Sequence, residues 1–317
     1  MKALWRDLPL LNILAYAALI AHAELVNLVP PRADLALSFL LPLAATLGIY
    51  ALRYARMSTA ERLWACLALS VTLGIIGLSY YLPSFPITPK HLREIYELSA
   101  LLNTLLLLVH AYTVQRSMVW LLLGPVLLYG LLLENGGIML GYFAELDYRY
   151  YLGPLPAPLA TVSGWVTVYA IVLWVLLTLR DANNWLRRQP LALALLGTLS
   201  AVLLDLQIDP LATAVGFWRW NKLLPTGPMG VPWLNFAAWF CAVFPFSAFV
   251  VFRLDRFALQ SHEISSTSHR RWLLLQVPMM LVVAAGLFLL LMLILDRGFS
   301  GPTFQILRNT LDKVWRA

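Results

Sequence analysis

Charge is scarce in this chain: 12% of its 317 residues are Asp, Glu, Lys or Arg, against 61% hydrophobic. A soluble domain of this length cannot hide that much apolar surface, whereas a bilayer accepts it. Cysteine is nearly absent. Cys66 and Cys241 both lie inside apolar runs with no CxxC or metal-ligand spacing, and read as small core residues. The five histidines are scattered, which leaves a metal-dependent hydroxylase without its ligand cluster. No aspartate-rich DDxxD-like cluster occurs, and Asp205 and Asp209 are too sparse to hold a magnesium diphosphate as a prenyltransferase must. Internal repeats, low-complexity tracts and long linkers are also missing. The expectation is a single membrane domain over 1–317, and repeat-built transporters are disfavoured. The net charge of +7 is spread through short gaps rather than clustered, so no nucleic-acid partner is expected. No cleavable signal peptide stands out, because the first apolar run follows Lys2, Arg6 and Asp7 and is long enough for a span or signal anchor.

What remains is long apolar runs, at 8–29, 35–52, 63–82, 95–115, 118–140, 158–179, 191–208, 231–252 and 272–295. Each approaches the ~20 residues that cross a bilayer, and lipid forces backbone hydrogen bonds to close within the segment, so helices are expected. The predicted fold class is an all-α polytopic bundle of eight or nine spans. The 191–208 run is the weakest, short and closed by Asp205 and Asp209. Alternate gaps are net positive, around Arg53/Arg56/Arg62, Arg116, Arg180/Arg187/Arg188 and Arg253/Arg256/Arg270/Arg271. The gaps between them are balanced or negative, including Glu145/Asp147/Arg149. The positive-inside rule then puts the N-terminus in the cytoplasm, and the expected location is a prokaryotic inner (cytoplasmic) membrane. The basic C-terminal tail breaks the alternation, which an amphipathic tail at the interface tolerates.

With that topology the unusual polar residues gather near the outer face. Glu24 lies in the first run beside His22 and Asn27, Glu97 opens the fourth, Glu134 and Asn135 lie near the end of the fifth, and Asp205 and Asp209 close the seventh. A carboxyl group in a span costs several kcal/mol unless paired or neutral, so such groups face the bundle interior, and several at one level imply a shared cavity. Glu24 and Glu97 read equally well as groups that hold helices together. Arg93 and Arg219 read as interfacial anchors or partners for nearby acids, and Tyr80, Tyr81, Tyr142, Tyr148, Tyr150 and Tyr151 as an aromatic belt. Asp209-Pro210 also reads as a helix start capped by the aspartate. Gly136-Gly137 and Gly141 mark close approach or a bend. The segment from Leu224 to Pro232 is too irregular for bare lipid and suggests a loop over a cavity mouth.

Two blocks carry the most information. The first holds Glu134, Gly141, Tyr142, Trp165 and Tyr169. The second holds Asp205, Asp209-Pro210, Gly216, Trp218, Trp220, Gly230-Val231-Pro232, Asn235-Phe236 and Trp239. Together they resemble the integral-membrane carotenoid biosynthesis family that includes the γ-carotene 1′-hydratases and the bisanhydrobacterioruberin hydratases. The resemblance is strongest over about 120–255. The first block departs from the pattern at Gly137-Ile138-Met139-Leu140-Gly141-Tyr142, which lacks a proline. The stretch Pro225-Thr226-Gly227-Pro228-Met229 lacks the usual tyrosines.

The resemblance implies a carotenoid 1,2-hydratase, a hydro-lyase that adds water to the terminal C1–C2 double bond of an acyclic carotenoid end with no cofactor. A carboxylic acid held neutral among apolar groups would protonate C2, indole faces would stabilise the cation at C1, and a carboxylate would position water. On this reading Asp209 is the acid, Glu134 the water-orienting base and Asn235 a hydrogen-bonding orienter, with the two acid roles exchangeable. Trp218, Trp220, Trp239, Tyr142, Trp165 and Tyr169 would bind substrate, and Asp205, Glu97, Glu24 and Arg219 would support the site. The implied partners are carotenoid, membrane lipid and other enzymes of the pathway. A carotenoid cyclase or isomerase shares the protonation step, and an isoprenoid or lipid carrier is the non-enzymatic alternative.

Overall fold

The computed structural model describes residues 89–114, 116–259, 267–296 and 298–316, with isolated positions between 44 and 70. Among these, the expected runs from the fourth to the ninth each appear as a helix long and apolar enough to cross a membrane, six in all. The runs at 8–29, 35–52 and 63–82 lie outside the described residues apart from those isolated positions, as do Glu24, Tyr80 and Tyr81. Cys66, one of the isolated positions, is exposed rather than in the core, whereas Cys241 is buried.

The first described span is α1 (Pro89–Val114), whose leading proline suits a helix's first turn, where no N–H partner exists. The second is built from α2 (Arg116–Leu121), a π-helical turn (Leu122–Val126) and α3 (Leu127–Met139). Pro125 lies inside that turn, and the wider winding accommodates its missing N–H and its ring. A short strand, β1 (Phe143–Glu145), follows. Next come α4 (Leu159–Ala182), the brief α5 (Asn184–Arg188) capped by the Asn183 side chain, and α6 (Pro190–Ala214). Strand β2 (Trp218–Trp220) leads through a 3-10 turn (Pro228–Gly230) into α7 (Trp233–Leu259), α8 (Thr267–Leu295) and the amphipathic α9 (Pro302–Arg316).

Helix α4 is apolar all round, and a helix with no polar face packs on every side. It is buried along nearly its whole length and touches α1, α3, α6 and α7. The largest core cluster runs along it, with Tyr129, Tyr169, Phe246 and Leu193 fully enclosed. Successive spans run antiparallel, so α3, α6 and α8 end, and α4 and α7 begin, at the same end of the bundle. Helix α9 covers that end by placing Phe304 and Ile306 against Tyr142, Leu224 and Leu234, while Val314 and Trp315 stay exposed. The amphipathic tail is therefore a helix lying against the bundle.

One reading of the sequence is overturned here. Asp209 does not start a helix: α6 continues through Pro210 to Ala214, so both Asp205 and Asp209 lie within its last turns. Apolar neighbours hold those turns together although Pro210 cannot donate to the Leu206 carbonyl. The bundle is all-α as expected over the described residues, with one addition: β1 and β2 pair into a short two-stranded antiparallel ribbon.

Candidate functional site

The ribbon begins with two matching helix endings. Helix α3 closes with Gly141 at φ 80°, Tyr142 N–H donating to the Gly137 carbonyl at 3.0 Å and Gly141 N–H to Ile138 at 2.9 Å. Helix α6 closes in the same way, with Gly216 at φ 75°, Phe217 N–H donating to Ala212 at 2.8 Å and Gly216 N–H to Thr213 at 3.2 Å. Both are Schellman endings, which need a left-handed residue that glycine adopts without steric cost. Each turns the chain straight into a strand. The strands pair Phe143 with Trp220, Ala144 with Arg219 and Glu145 with Trp218. Side chains alternate across a strand, so Phe143, Glu145, Trp218 and Trp220 share one face and Ala144 and Arg219 the other.

The first face closes a cavity of about 180 Å³. Its walls include Glu134 of α3, Trp165 of α4, Asp209 of α6 and Asn235 and Trp239 of α7, with Tyr142, Trp218 and Trp220 from the ribbon end. Close helix contacts set the wall. A Cβ on Gly130 would lie 2.7 Å from Trp165, so only glycine lets that indole lie against α3. One turn later Glu134 accepts a 2.6 Å hydrogen bond from Trp165 Nε1. Trp165 in turn stacks on Trp239, with ring centroids 4.9 Å apart. On the other side of Trp165 lies Tyr169, whose hydroxyl donates to the Ala242 carbonyl at 3.2 Å.

The carboxyl groups come in two pairs. Asp205 and Asp209, four residues apart, lie on one face of α6 as neighbouring buried carboxyl groups. Asn235 Nδ2 donates to Asp205 Oδ2 at 2.6 Å. Asp205 Oδ1 and Asp209 Oδ2 are buried with no hydrogen-bond partner among the described residues. The second pair is Glu134 with Glu145, which line the cavity together beside Thr161, whose hydroxyl donates to the Pro158 carbonyl at 3.0 Å. Burial, and then the adjacent Glu134, push the Glu145 carboxyl well above the usual carboxylate range. Burial likewise raises the Tyr142 phenol to about 12. Glu145 Oε2 and Trp218 Nε1 are buried without a partner among the described residues.

Sequence reasoning brought Glu134, Asp209, Asn235, Tyr142 and the four tryptophans to one place, and these residues do converge. Asp205 stands behind Asp209, and Tyr169 behind Trp165, so neither lines the cavity. Glu97 is buried but serves a loop, accepting from the Arg149 and Tyr150 backbone N–H groups at 2.9 and 3.2 Å. Arg219 is exposed on the far face of the ribbon. Arg93 pairs with Asp147 at 3.2 Å, as a partner for an acid. Asn135 is also structural, bonding the Ala157 N–H and the Leu131 carbonyl. The belt reading of the tyrosines fails for Tyr142 and Tyr148, which are buried, and fits Tyr150 and Tyr151, which are exposed. Segment 224–232 is irregular as expected, yet no residue of it lines the cavity.

The residue that sequence reasoning missed is Glu145. It lies in a gap between spans among other charges, where a carboxylate reads as solvated. The available signal was the alternation of Phe143 and Glu145 after a helix-ending glycine.

No curated protein and no solved structure matches this chain. A family model described as carotenoid biosynthesis protein matches residues 95–304, which include every described residue lining the cavity. This membrane-spanning chain belongs to the family of carotenoid biosynthesis proteins.

Proposed function

We propose that this protein hydrates the terminal C1–C2 double bond of an acyclic carotenoid end group, giving a tertiary alcohol with no redox cofactor. The observation that carries the reading is that Glu134, Asp209 and Asn235 line one cavity together with the indoles of Trp165, Trp218, Trp220 and Trp239. Aromatic walls suit a hydrocarbon end group and a transient carbocation, since an indole face next to a desolvated cation is worth ~2 kcal/mol or more. Carboxyl groups suit proton delivery and water capture. Asp209 Oδ2, Glu145 Oε2 and Trp218 Nε1, buried without a partner among the described residues, offer acceptors and a donor that a water molecule can satisfy.

In this mechanism Asp209 gives its proton to C2 and the double-bond electrons form the new C–H bond. The cation develops at C1 beside the indoles. Water held by Glu134 attacks C1, forming the C–O bond and releasing its proton to that side of the cavity. Trp165 fixes the Glu134 carboxyl by its 2.6 Å hydrogen bond, and Asn235 orients the aspartate pair through Asp205. The outer end of a bundle in a cytoplasmic membrane is the side this cavity would occupy.

The test is product mass. Membranes carrying the protein are supplied with acyclic and monocyclic carotenoids in H₂¹⁸O, beside Glu134→Gln and Asp209→Asn variants. The expected product is heavier by one labelled water and is lost in both variants. An isomer of unchanged mass would mean cyclisation or isomerisation, and binding without turnover would mean a carrier.

A further inference from the structure

Glu145 is the one carboxyl of the cavity wall that comes from neither a span nor a recognisable motif. Its position follows from the fold in three steps. The glycine ending of α3 aims β1 back across the bundle end. Antiparallel pairing with β2 fixes the strand's rotation, so Phe143 and Glu145 face inward. Gly137 then lets the Phe143 ring lie directly on α3, seating the strand against the helix that carries Glu134. Glu145 thereby faces the same cavity as Glu134. Two carboxyl groups enclosed in one apolar cavity disfavour both being ionised, so a proton held between them relieves the repulsion. The outer oxygens are unequal: Glu134 Oε1 is taken by Trp165, whereas Glu145 Oε2 has no partner among the described residues.

We propose that Glu134 and Glu145 act as one proton-sharing pair, and that this pair, rather than Glu134 alone, receives the proton released by the attacking water. The chemistry rests on the hydration reading given above. The pair starts with one proton and the aspartate pair with one. Asp209 loses its proton to C2, water loses one as the C1–O bond forms, and the glutamate pair then holds two. Charge is conserved, since the aspartate pair gains the negative charge that the glutamate pair gives up. Return of one proton across the cavity to Asp209 resets the site. A single carboxylate in this apolar enclosure has no neighbour with which to divide an incoming proton, and Glu145 supplies that neighbour without adding a net positive group beside the cation.

The pairing is testable without turnover. Infrared spectra of the full-length protein, purified without carotenoid, are compared in H₂O and D₂O for wild type, Glu145→Gln, Glu145→Asp and the loop control Asp147→Asn. The expected result is a deuterium-sensitive protonated-carboxyl band that Glu145→Gln lacks and Asp147→Asn keeps. A second such band, from Asp205 and Asp209, persists in every variant. Hydration by Glu145→Gln falls about 10²-fold or more in kcat with KM little changed. Should Glu145→Gln not fold, Glu145→Asp keeps a carboxyl but shortens its reach, and its band moves while its turnover drops. An unchanged carboxyl spectrum in a folded Glu145→Gln protein, or wild-type turnover in that variant, overturns the proposal. If the band is lost on substitution while wild type hydrates no carotenoid, the shared proton stands and the hydration reading alone falls.

Discussion

Replacing Gly137 by alanine probes whether the ribbon's seat on α3 sets the site. A Cβ at Gly137 would lie 2.4 Å from Cε1, 3.1 Å from Cζ and 3.3 Å from Cδ1 of Phe143. Ordinary contact begins at 3.4 Å, so the ring must retreat by 3.4 − 2.4 = 1.0 Å. On its other side stands Trp220, with centroids 5.5 Å apart. Either the ring tilts into the cavity or β1 lifts from α3 and carries Glu145 away from Glu134. Overpacking of this kind costs about 1–3 kcal/mol, and a 1 Å misplacement of a reacting group costs up to about 10²-fold in rate. Gly136 is the matched control, because a Cβ there meets nothing within 4 Å. Helix propensity predicts that Gly136→Ala is neutral or gains up to about 1 kcal/mol. The assay is thermal unfolding in detergent together with the initial rate of carotenoid hydration. A Gly137→Ala protein with the melting temperature and kcat/KM of wild type would refute the argument that β1 is seated through this contact.

Two further substitutions separate the site from its scaffold. Asn235→Ala removes the donor from Asp205 Oδ2 in a buried setting, and should cost about 1–3 kcal/mol in thermal unfolding as well as lowering turnover. Unchanged stability would mean that the amide does not hold the aspartate pair. Glu97 predicts the opposite division: Glu97→Gln keeps an oxygen for the Arg149 and Tyr150 N–H groups and should behave as wild type, whereas Glu97→Ala should lose about 1–3 kcal/mol with the rate per folded molecule retained. A loss of turnover in Glu97→Gln, with stability intact, would move that residue into the chemistry.

Much of this arrangement was legible from one dimension. Span number four to nine could be read from apolar runs because lipid leaves a helix no alternative, and the width of a bilayer sets its length. Buried carboxyls could be picked out for the same reason, since Glu134 and Asp209 are too costly in a span without a purpose. Their depth near one end followed from counting residues along helices of known rise. Helix ends were less legible. Asp209-Pro210 looked like a start, because local capping preferences favour that reading, but packing of α6 against α7 and α4 carried the helix through the proline.

What the order of residues alone determined was therefore the class of molecule, the six described spans and the chemical types available at one end of them. Rotation of each helix about its axis belonged to the tertiary structure, because hydrophobic runs without a polar face carry no azimuthal signal. That rotation put Asp205 behind Asp209 and Tyr169 behind Trp165, and turned Glu97 toward the 149–150 backbone. Strand pairing was also a long-range decision, since Phe143 and Trp220 meet across seventy-odd residues only after two helices have ended side by side. Through that pairing a glutamate from a loop of ordinary charge became part of the cavity wall, and Arg219, the residue next to its partner Trp218, was left outside.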